Sequence, residues 1–476
     1  MSQPSTLLGA IGLDQKQEQK LKAIDQKFFQ ETDQRVKQIQ QIEDRNINLI
    51  FDWAVNERLS RMGLLGCTIA RLSSAVPYGW CINLGRSKSL ACYVLAVGES
   101  GAGKSEMLHT VEDMINAVNL QLPHHGNYQS GEALLESFME YQEVAPSGES
   151  GGKRQLELKD PQDRACFVAV DELDTFNGRK SASTKVSGLA SWMRTAWSGG
   201  RLEATKAGTN SAGKQRHPVP RGTYRIGAYA AGTHMMVKDL LHDYGKGDAT
   251  RWIVMPADDT YFDDADSSGL PTQLERLWLR EQWDISDGLN EIDNHELYIE
   301  RPIREEVDRN KRAGVSKLAS DREDRLGGHV MQIRLRVAAI IGWIRGHPGI
   351  LDETDWHIAR IIEQQSDATV DWHLPHAEKE EIKDAKRVGS LYGERTATSQ
   401  NVEADNLNKM LTNTLDKVLD HMTTGGCTLD EAINRVVVGA RVTRWGKAAR
   451  VSTGIKEHYR TALKERYLEE CAVEGG

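Results

Sequence analysis

A chain of 476 residues, with 27% charged side chains and a formal net charge of −9, is long enough for two or three domains but is no polycation, so any nucleic-acid surface must be local. The six cysteines (Cys67, Cys81, Cys92, Cys166, Cys427 and Cys471) form no C-x-x-C pair and no zinc-type spacing, which suits reduced thiols and predicts no structural metal. No run approaches the roughly 20 apolar residues of a membrane span, and no basic flank precedes an apolar signal core at the N-terminus, so a cytoplasmic protein without a membrane partner is expected.

From Asp14 to Arg58 the chain is rich in Gln and Lys, with apolar residues at Leu21, Ile24, Phe28, Val36, Ile39, Ile42, Ile47 and Ile50. That spacing predicts one or two long amphipathic helices. They form either a partner-binding arm or a solvated layer on the next domain. Leu64 to Leu90 reads as a helix, a loop at Pro77 and Gly79, and a turn, all packed on the following core.

Tyr93–Val97 (YVLAV) reads as a buried parallel strand that empties into Gly98-Glu99-Ser100-Gly101-Ala102-Gly103-Lys104-Ser105. All the fixed positions of the phosphate-binding loop G-x-x-x-x-G-K-[ST] are filled there. Glu106 to Leu120 follows with helical periodicity, so strand, glycine loop and helix come in the order the motif requires. The glycines let backbone N–H groups turn toward phosphate oxygens, and the helix start adds partial positive charge. Lys104 is expected on the β and γ phosphates of ATP, and Ser105 on Mg²⁺.

His124 and His125 have no ligand company and read as surface residues. Ser130 opens a short helix expected to run through Tyr141, and 146–154 reads as a polar loop. Ala165–Val170 is a second apolar run, ending in Asp171-Glu172 about 65 residues after the P-loop. A strand of this kind is expected to deliver its carboxylates beside the P-loop strand. Asp171 is the candidate for Mg²⁺ through its water shell, and Glu172 for the general base that deprotonates the attacking water.

Between Gly178 and Gly222 the chain turns basic and small, with Arg201 and Lys206 among its cations and Trp192 and Trp197 among its aromatics. This is the composition of a mobile loop that touches a phosphate backbone and stacks on bases, or of a solvated insertion anchored by its tryptophans. Tyr224–Ala230 reads as a third core strand, with Thr233 or His234 placed to sense the γ-phosphate. Gly247–Pro256 sets Arg251 at the mouth of another apolar strand, the place of an arginine offered to a neighbouring subunit's nucleotide.

The set LLGCTIARLSSAVP, YVLAVGESGAGKS, FVAVDEL, WSGGRLEATKAG, YRIGAYAAGTH and GDATRWIVMP resembles the phage- and plasmid-type P-loop ATPases found alone or fused to primase-polymerase domains. LEATKAG followed by a strand and TRWIV is also similar to the presensor hairpin and arginine finger of the minichromosome-maintenance branch of AAA+ helicases. The resemblance covers about residues 60–375. It implies an α/β P-loop NTPase core of the AAA+ or RecA-like kind with a parallel sheet, Lys206 on a DNA-contacting hairpin, and Arg251 as the finger. It further implies an ATP- and Mg²⁺-dependent DNA helicase or translocase working as a hexameric ring on single-stranded DNA. No primase-type sequence precedes the core, so priming would fall to a separate protein. A molecular switch or loader acting on a protein partner is the alternative.

The expected layout is a helical arm (1–60), the ATPase core (61–300), a helical lid (301–376), and a linker with a small basic helical domain (377–476). In the lid, Arg325–Trp343 and Asp355–Trp372 have helical spacing, and Arg334 or Arg336 is a candidate to reach the nucleotide. The tail carries Arg435, Arg441, Arg444, Lys447, Arg450, Lys456 and Arg460, which suits a DNA-binding appendage or a plain helical cap.

Overall fold

The structure, a computed structural model, describes residues 5–84, 87–115, 122–128, 130–143, 154–170, 188–203, 218–235, 238, 249–259, 274–277, 279, 295–317 and 329–380, with short pieces between 416 and 467. The chain divides into two units, Met1–Glu381 and Ile382–Gly476. No helix among the described residues is long and apolar enough to cross a membrane.

The first unit is built on a five-stranded parallel sheet. Its strands are β3 (Tyr93–Val97), β4 (His125–Gly126), β7 (Ala165–Val170), β8 (Arg225–Gly232) and β9 (Trp252–Pro256), in the order β4-β7-β8-β3-β9. The inner strands are apolar without alternation, as strands covered on both faces must be. β3 and β9 are buried at every position, and β8 at all but Arg225. Val94, Ala96, Phe167, Ala169, Tyr229, Ile253 and Met255 meet one helical layer, and Tyr93, Leu95, Val97, Val168, Val170, Ala228, Ala230, Trp252 and Val254 meet the other.

The first layer is dominated by α3 (Arg61–Ala75), all of whose residues are buried. Ser60 caps it, its Oγ accepting from the Gly63 amide at 3.1 Å. The helix lies so close to the sheet that a Cβ on Gly227 would fall 2.2 Å from the Ala70 carbonyl oxygen. α1 (Ser5–Gln40) and α2 (Arg45–Asn56) precede it, and α4 (Lys104–Met114) lies beside it. α4 is shorter than the periodicity predicts. At Ile115 the backbone turns extended and pairs with Leu277, a partner too distant in sequence to anticipate.

The second layer holds α5 (Gly131–Glu136) and α6 (Gly188–Trp197). Two expectations are corrected here. The helix after Ser130 stops at Glu136, and 139–143 instead forms β5 (Met139–Glu143), antiparallel to β6 (Arg154–Leu158). Within the basic segment, 188–197 is a helix rather than a mobile loop. Leu189, Met193, Ala196 and Trp197 recur at helical spacing and are buried. Charge dominates the composition of the segment, whereas its few apolar residues decide where the backbone packs.

Short pairs complete this unit: β1 (Trp80–Asn83) with β2 (Ser87–Lys88) and β10 (His295–Glu296), and β11 (Tyr298–Ile299) with β12 (Ile350–Leu351). Three helices follow the sheet: α7 (Arg301–Lys317), α8 (Val330–Ile344) and α9 (353–380). Asp352 and Asp355 cap α9 reciprocally, Asp352 accepting from the Asp355 amide at 2.7 Å and Asp355 from the Asp352 amide at 3.1 Å. α1 does not stand away from the unit over its described side chains. Phe28 stacks on Trp372 of α9 at 4.3 Å, and Leu21, Val36 and Ile39 are buried.

In the second unit, described helical residues at 416–420 and 429–432 include a capping pair. Thr428 donates its amide to Glu431 at 3.1 Å, and its hydroxyl accepts from the Glu431 amide at 3.4 Å. The basic residues expected to make a DNA-binding tail, Arg435 to Arg460, lie outside the described residues.

Candidate functional site

All five strands point the same way, and the P-loop emerges at their C-terminal edge. After Val97 the Gly98 amide donates to the Gly232 carbonyl at 3.2 Å, which ties the start of the loop to the end of β8. Gly101 and Gly103 have φ of 90° and 71°, a left-handed region that side chains with a Cβ rarely adopt. At Gly98, moreover, a Cβ would fall 2.7 Å from Asp258 Oδ2, and at Gly103 it would fall 2.6 Å from Leu59 Cδ2. Gly103 is the N-cap of α4 and offers no side-chain acceptor. The first amides of the helix are therefore left for an outside anion.

Lys104 Nζ donates to the Gly98 carbonyl at 2.9 Å and to the Glu99 carbonyl. Both are neutral acceptors, so no ion pair must break for it to turn to phosphate. Burial lowers its pKa, while Asp258 and Glu99 oppose that fall. The Tyr229 hydroxyl donates to the Lys104 carbonyl at 2.6 Å, bracing the start of α4 from the sheet. Ser105 is exposed at the same edge. A left-handed glycine loop, uncapped amides and a half-buried lysine fit a nucleotide's phosphates.

Asp171 and Glu172 lie outside the described residues. The strand leading to them ends at Val170, which is level with Ala230 of β8, itself level with Leu95 of β3. The expectation that this strand lies beside the P-loop strand needs correction, because β8 lies between them. β8 is the longest strand of the sheet, buried at every position after Arg225, and needs a neighbour on each side, a requirement invisible in the order of the sequence.

His234 follows β8 at this edge and is buried. Its ring nitrogen shares a hydrogen bond with His373 Nδ1, and its ring stacks on His376 at 4.9 Å. Burial first, then the neighbouring His376, pushes its pKa down to about 4, and His373 is held well below its ordinary value by burial and His234. At neutral pH the pair is therefore uncharged, one ring donating and the other accepting. His376 is held by Asp25 of α1 at 2.7 Å, and the same carboxylate accepts from Trp372 Nε1 at 2.7 Å.

Arg251 lies at the other edge of the sheet, five residues before Pro256 and so about 16 Å along the strand at ~3.3 Å per residue. Its guanidinium lies over Trp197 at 5.3 Å. Neither lid arginine approaches the P-loop. Arg336 lies 3.5 Å over Trp197 and donates to the Ala91 carbonyl, while Arg334 pairs with Glu306 at 2.9 Å and Glu363 at 2.6 Å. Arg201 is exposed and pairs with Glu203 at 3.1 Å, beside an antiparallel bridge between Leu202 and Val219. Lys206 lies outside the described residues.

Three site residues escape a reading of the sequence alone. Asp258 touches the P-loop from the end of β9, and burial pushes its pKa up to about 6. A carboxylate after an apolar strand is the available signal. His373 and His376 are three apart on α9, a spacing that puts both on one face. Among the described residues, His347, Asp352 and Asp355 alone gather at ligand distance, but Arg345 already donates to both carboxylates, so the group serves as a helix cap.

No family model matches the chain, and no curated protein is similar to it. Among solved structures, 72 chains match. One is a full-length MCM homolog from Methanopyrus kandleri, with 12% identity and a TM-score of 0.34 over 72% of this chain. The chain spans 62% of that archaeal protein's length, and so remote a likeness assigns no residue a role.

Proposed function

We propose that the chain is a P-loop ATP hydrolase that acts as a DNA helicase or translocase of a phage or plasmid replication system, hydrolysing ATP between subunits of a ring. The observation that carries the hydrolase reading is the glycine loop itself: left-handed at Gly101 and Gly103, uncapped at α4, and set at the edge where β7 and β8 also end. MgATP, when bound, supplies the phosphoanhydride bond. Lys104 leaves the loop carbonyls for phosphate oxygens, and Ser105 and Asp171 hold the metal. Glu172 takes the proton of the attacking water. The neutral His234, kept in place by His373, offers one hydrogen bond without adding charge. Arg251 acts on the neighbouring subunit's site, since its own P-loop lies at the far edge of the sheet.

The DNA part of the reading rests on the cationic segment around Arg201 and Lys206. ATP turnover of protein of known oligomeric state, measured with and without single-stranded DNA, tests it. Stimulation is expected, together with a salt slope of DNA binding that falls by roughly 0.7 for each phosphate that Arg201→Ala or Lys206→Ala leaves without its cation. Turnover indifferent to DNA would discard it. A second reading, a switch acting on a protein partner, is favoured by one observation: Asp25 and Asp33 tie α1 to the surroundings of the P-loop through His376 and Arg61. Forked duplex that stays annealed while ATP alters the binding of a partner would select it.

A further inference from the structure

At the edge of the sheet opposite the P-loop, a cavity of ≈ 470 Å³ opens between the α3–β1 connection, the segment before β3 and the turn into β8. Its size lies within the roughly 300–1,000 Å³ of small-ligand sites. Arg221, Arg225, Tyr78 and Trp80 line it, and among the described residues no carboxylate does.

Arg225 is held in place by donating from Nη2 to the Gln162 carbonyl, while its buried Nε has no hydrogen-bond partner. Burial lowers its pKa to about 10, with Asp163 and the Tyr78 hydroxyl opposing the fall electrostatically, so it stays protonated at neutral pH. Arg221 is exposed at the lip, in the turn that Gly222 makes with φ of 70°. Trp80 is fixed from behind by His295, ring centroids 5.4 Å apart, and by Gly349, where a Cβ would fall 2.7 Å from the indole.

We propose that this cavity binds one nucleoside monophosphate unit, its base against Trp80 and Tyr78 and its phosphate on Arg221 and Arg225. Guanidinium forks match phosphate oxygens, and a fixed indole stacks on any base. A cationic aromatic cavity without a carboxylate disfavours cations, and its arginines disfavour a purely apolar ligand. The unit reaches the cavity either as a free nucleotide or as one residue of a single strand. The site is distinct from the P-loop, from which the length of β3 separates it, about 13 Å at ~3.3 Å per residue.

The test uses full-length Lys104→Ala protein, which weakens nucleotide binding at the P-loop, so it can fail or succeed independently of the ATPase reading. dTMP is titrated calorimetrically and a labelled (dT)12 by fluorescence anisotropy, with and without Arg221→Ala at a matched thermal midpoint. At least one ligand is expected to bind, with affinity falling about tenfold or more in Arg221→Ala. Arg221→Lys, which keeps the charge without the fork, should recover part of the loss. Oligonucleotide displaced by dTMP identifies capture of a free nucleotide; oligonucleotide bound while dTMP has no effect identifies a residue of a strand. No binding of either ligand, or affinities that Arg221→Ala leaves unchanged, overturns the proposal.

Discussion

Asp258→Asn isolates the electrostatic cost of assembling the P-loop edge. The carboxylate is pressed against Gly98 and faces Lys104. Burial raises its pKa from 3.8 to about 6, with Lys104 opposing the rise and Glu99 adding to it. Below pH 3.8 the group is protonated in both states. Between there and about 6 the folded chain keeps a proton that the unfolded chain has lost, so the stability this group contributes at low pH is lost as pH rises through about 6. Above that, ionisation costs the fold about 3 kcal/mol at 1.36 kcal/mol per pH unit, and partial exposure brings this to about 1–3 kcal/mol. Asn carries no charge at any pH. Urea unfolding at pH 4.5, 6 and 7.5 should therefore find the variant more stable by about 1–3 kcal/mol at the highest pH, with the gain falling to about a third of that at the lowest. A variant less stable at pH 7.5, or a difference that ignores pH, would refute the reasoning.

Lys104→Ala should abolish nucleotide binding or turnover, while Glu172→Gln should keep binding and slow hydrolysis by roughly two to four orders of magnitude, both measurable by nucleotide binding and phosphate release. Mixing inactive Arg251→Ala with inactive Lys104→Ala subunits that exchange should restore part of the turnover, because a mixed interface can pair an intact P-loop with an intact arginine; a dead mixture would leave Arg251 a structural role over Trp197. Gly227→Ala should destabilise the first unit by about 1–3 kcal/mol in denaturant titration, since the added methyl meets backbone 2.2 Å away; an unchanged midpoint would mean that α3 yields without strain.

The elements that sequence reveals best here are those whose cause is local. β3, the glycine loop, β7, β8 and β9 are apolar runs or obligatory glycines, and His234 stands two residues past the end of its strand. What distance in the chain decides is not legible in the same way. The insertion of β8 between β3 and β7 is a matter of crossover order, and His234 meets His373 across 139 positions. Asp258 looks like any polar residue at a strand exit until the packing of Gly98 against it gives it a place. α1 admits two readings because its stripe is apolar on one side only. The partner that covers that stripe, Trp372, lies 344 positions from Phe28 in the numbering.

That same pairing bears on how the chain is made. Asp25 accepts from Trp372 across 347 positions, so the two ends of the first unit close on one another. At a ribosomal pace of roughly 5–20 residues per second, α9 leaves the ribosome on the order of 20–70 seconds after α1. During that interval Phe28 and Thr32 lack their partners on α9, and from its own synthesis until α9 emerges His234 lacks His373 and His376. The first unit can therefore complete its fold only once α9 has emerged, near the end of its own synthesis.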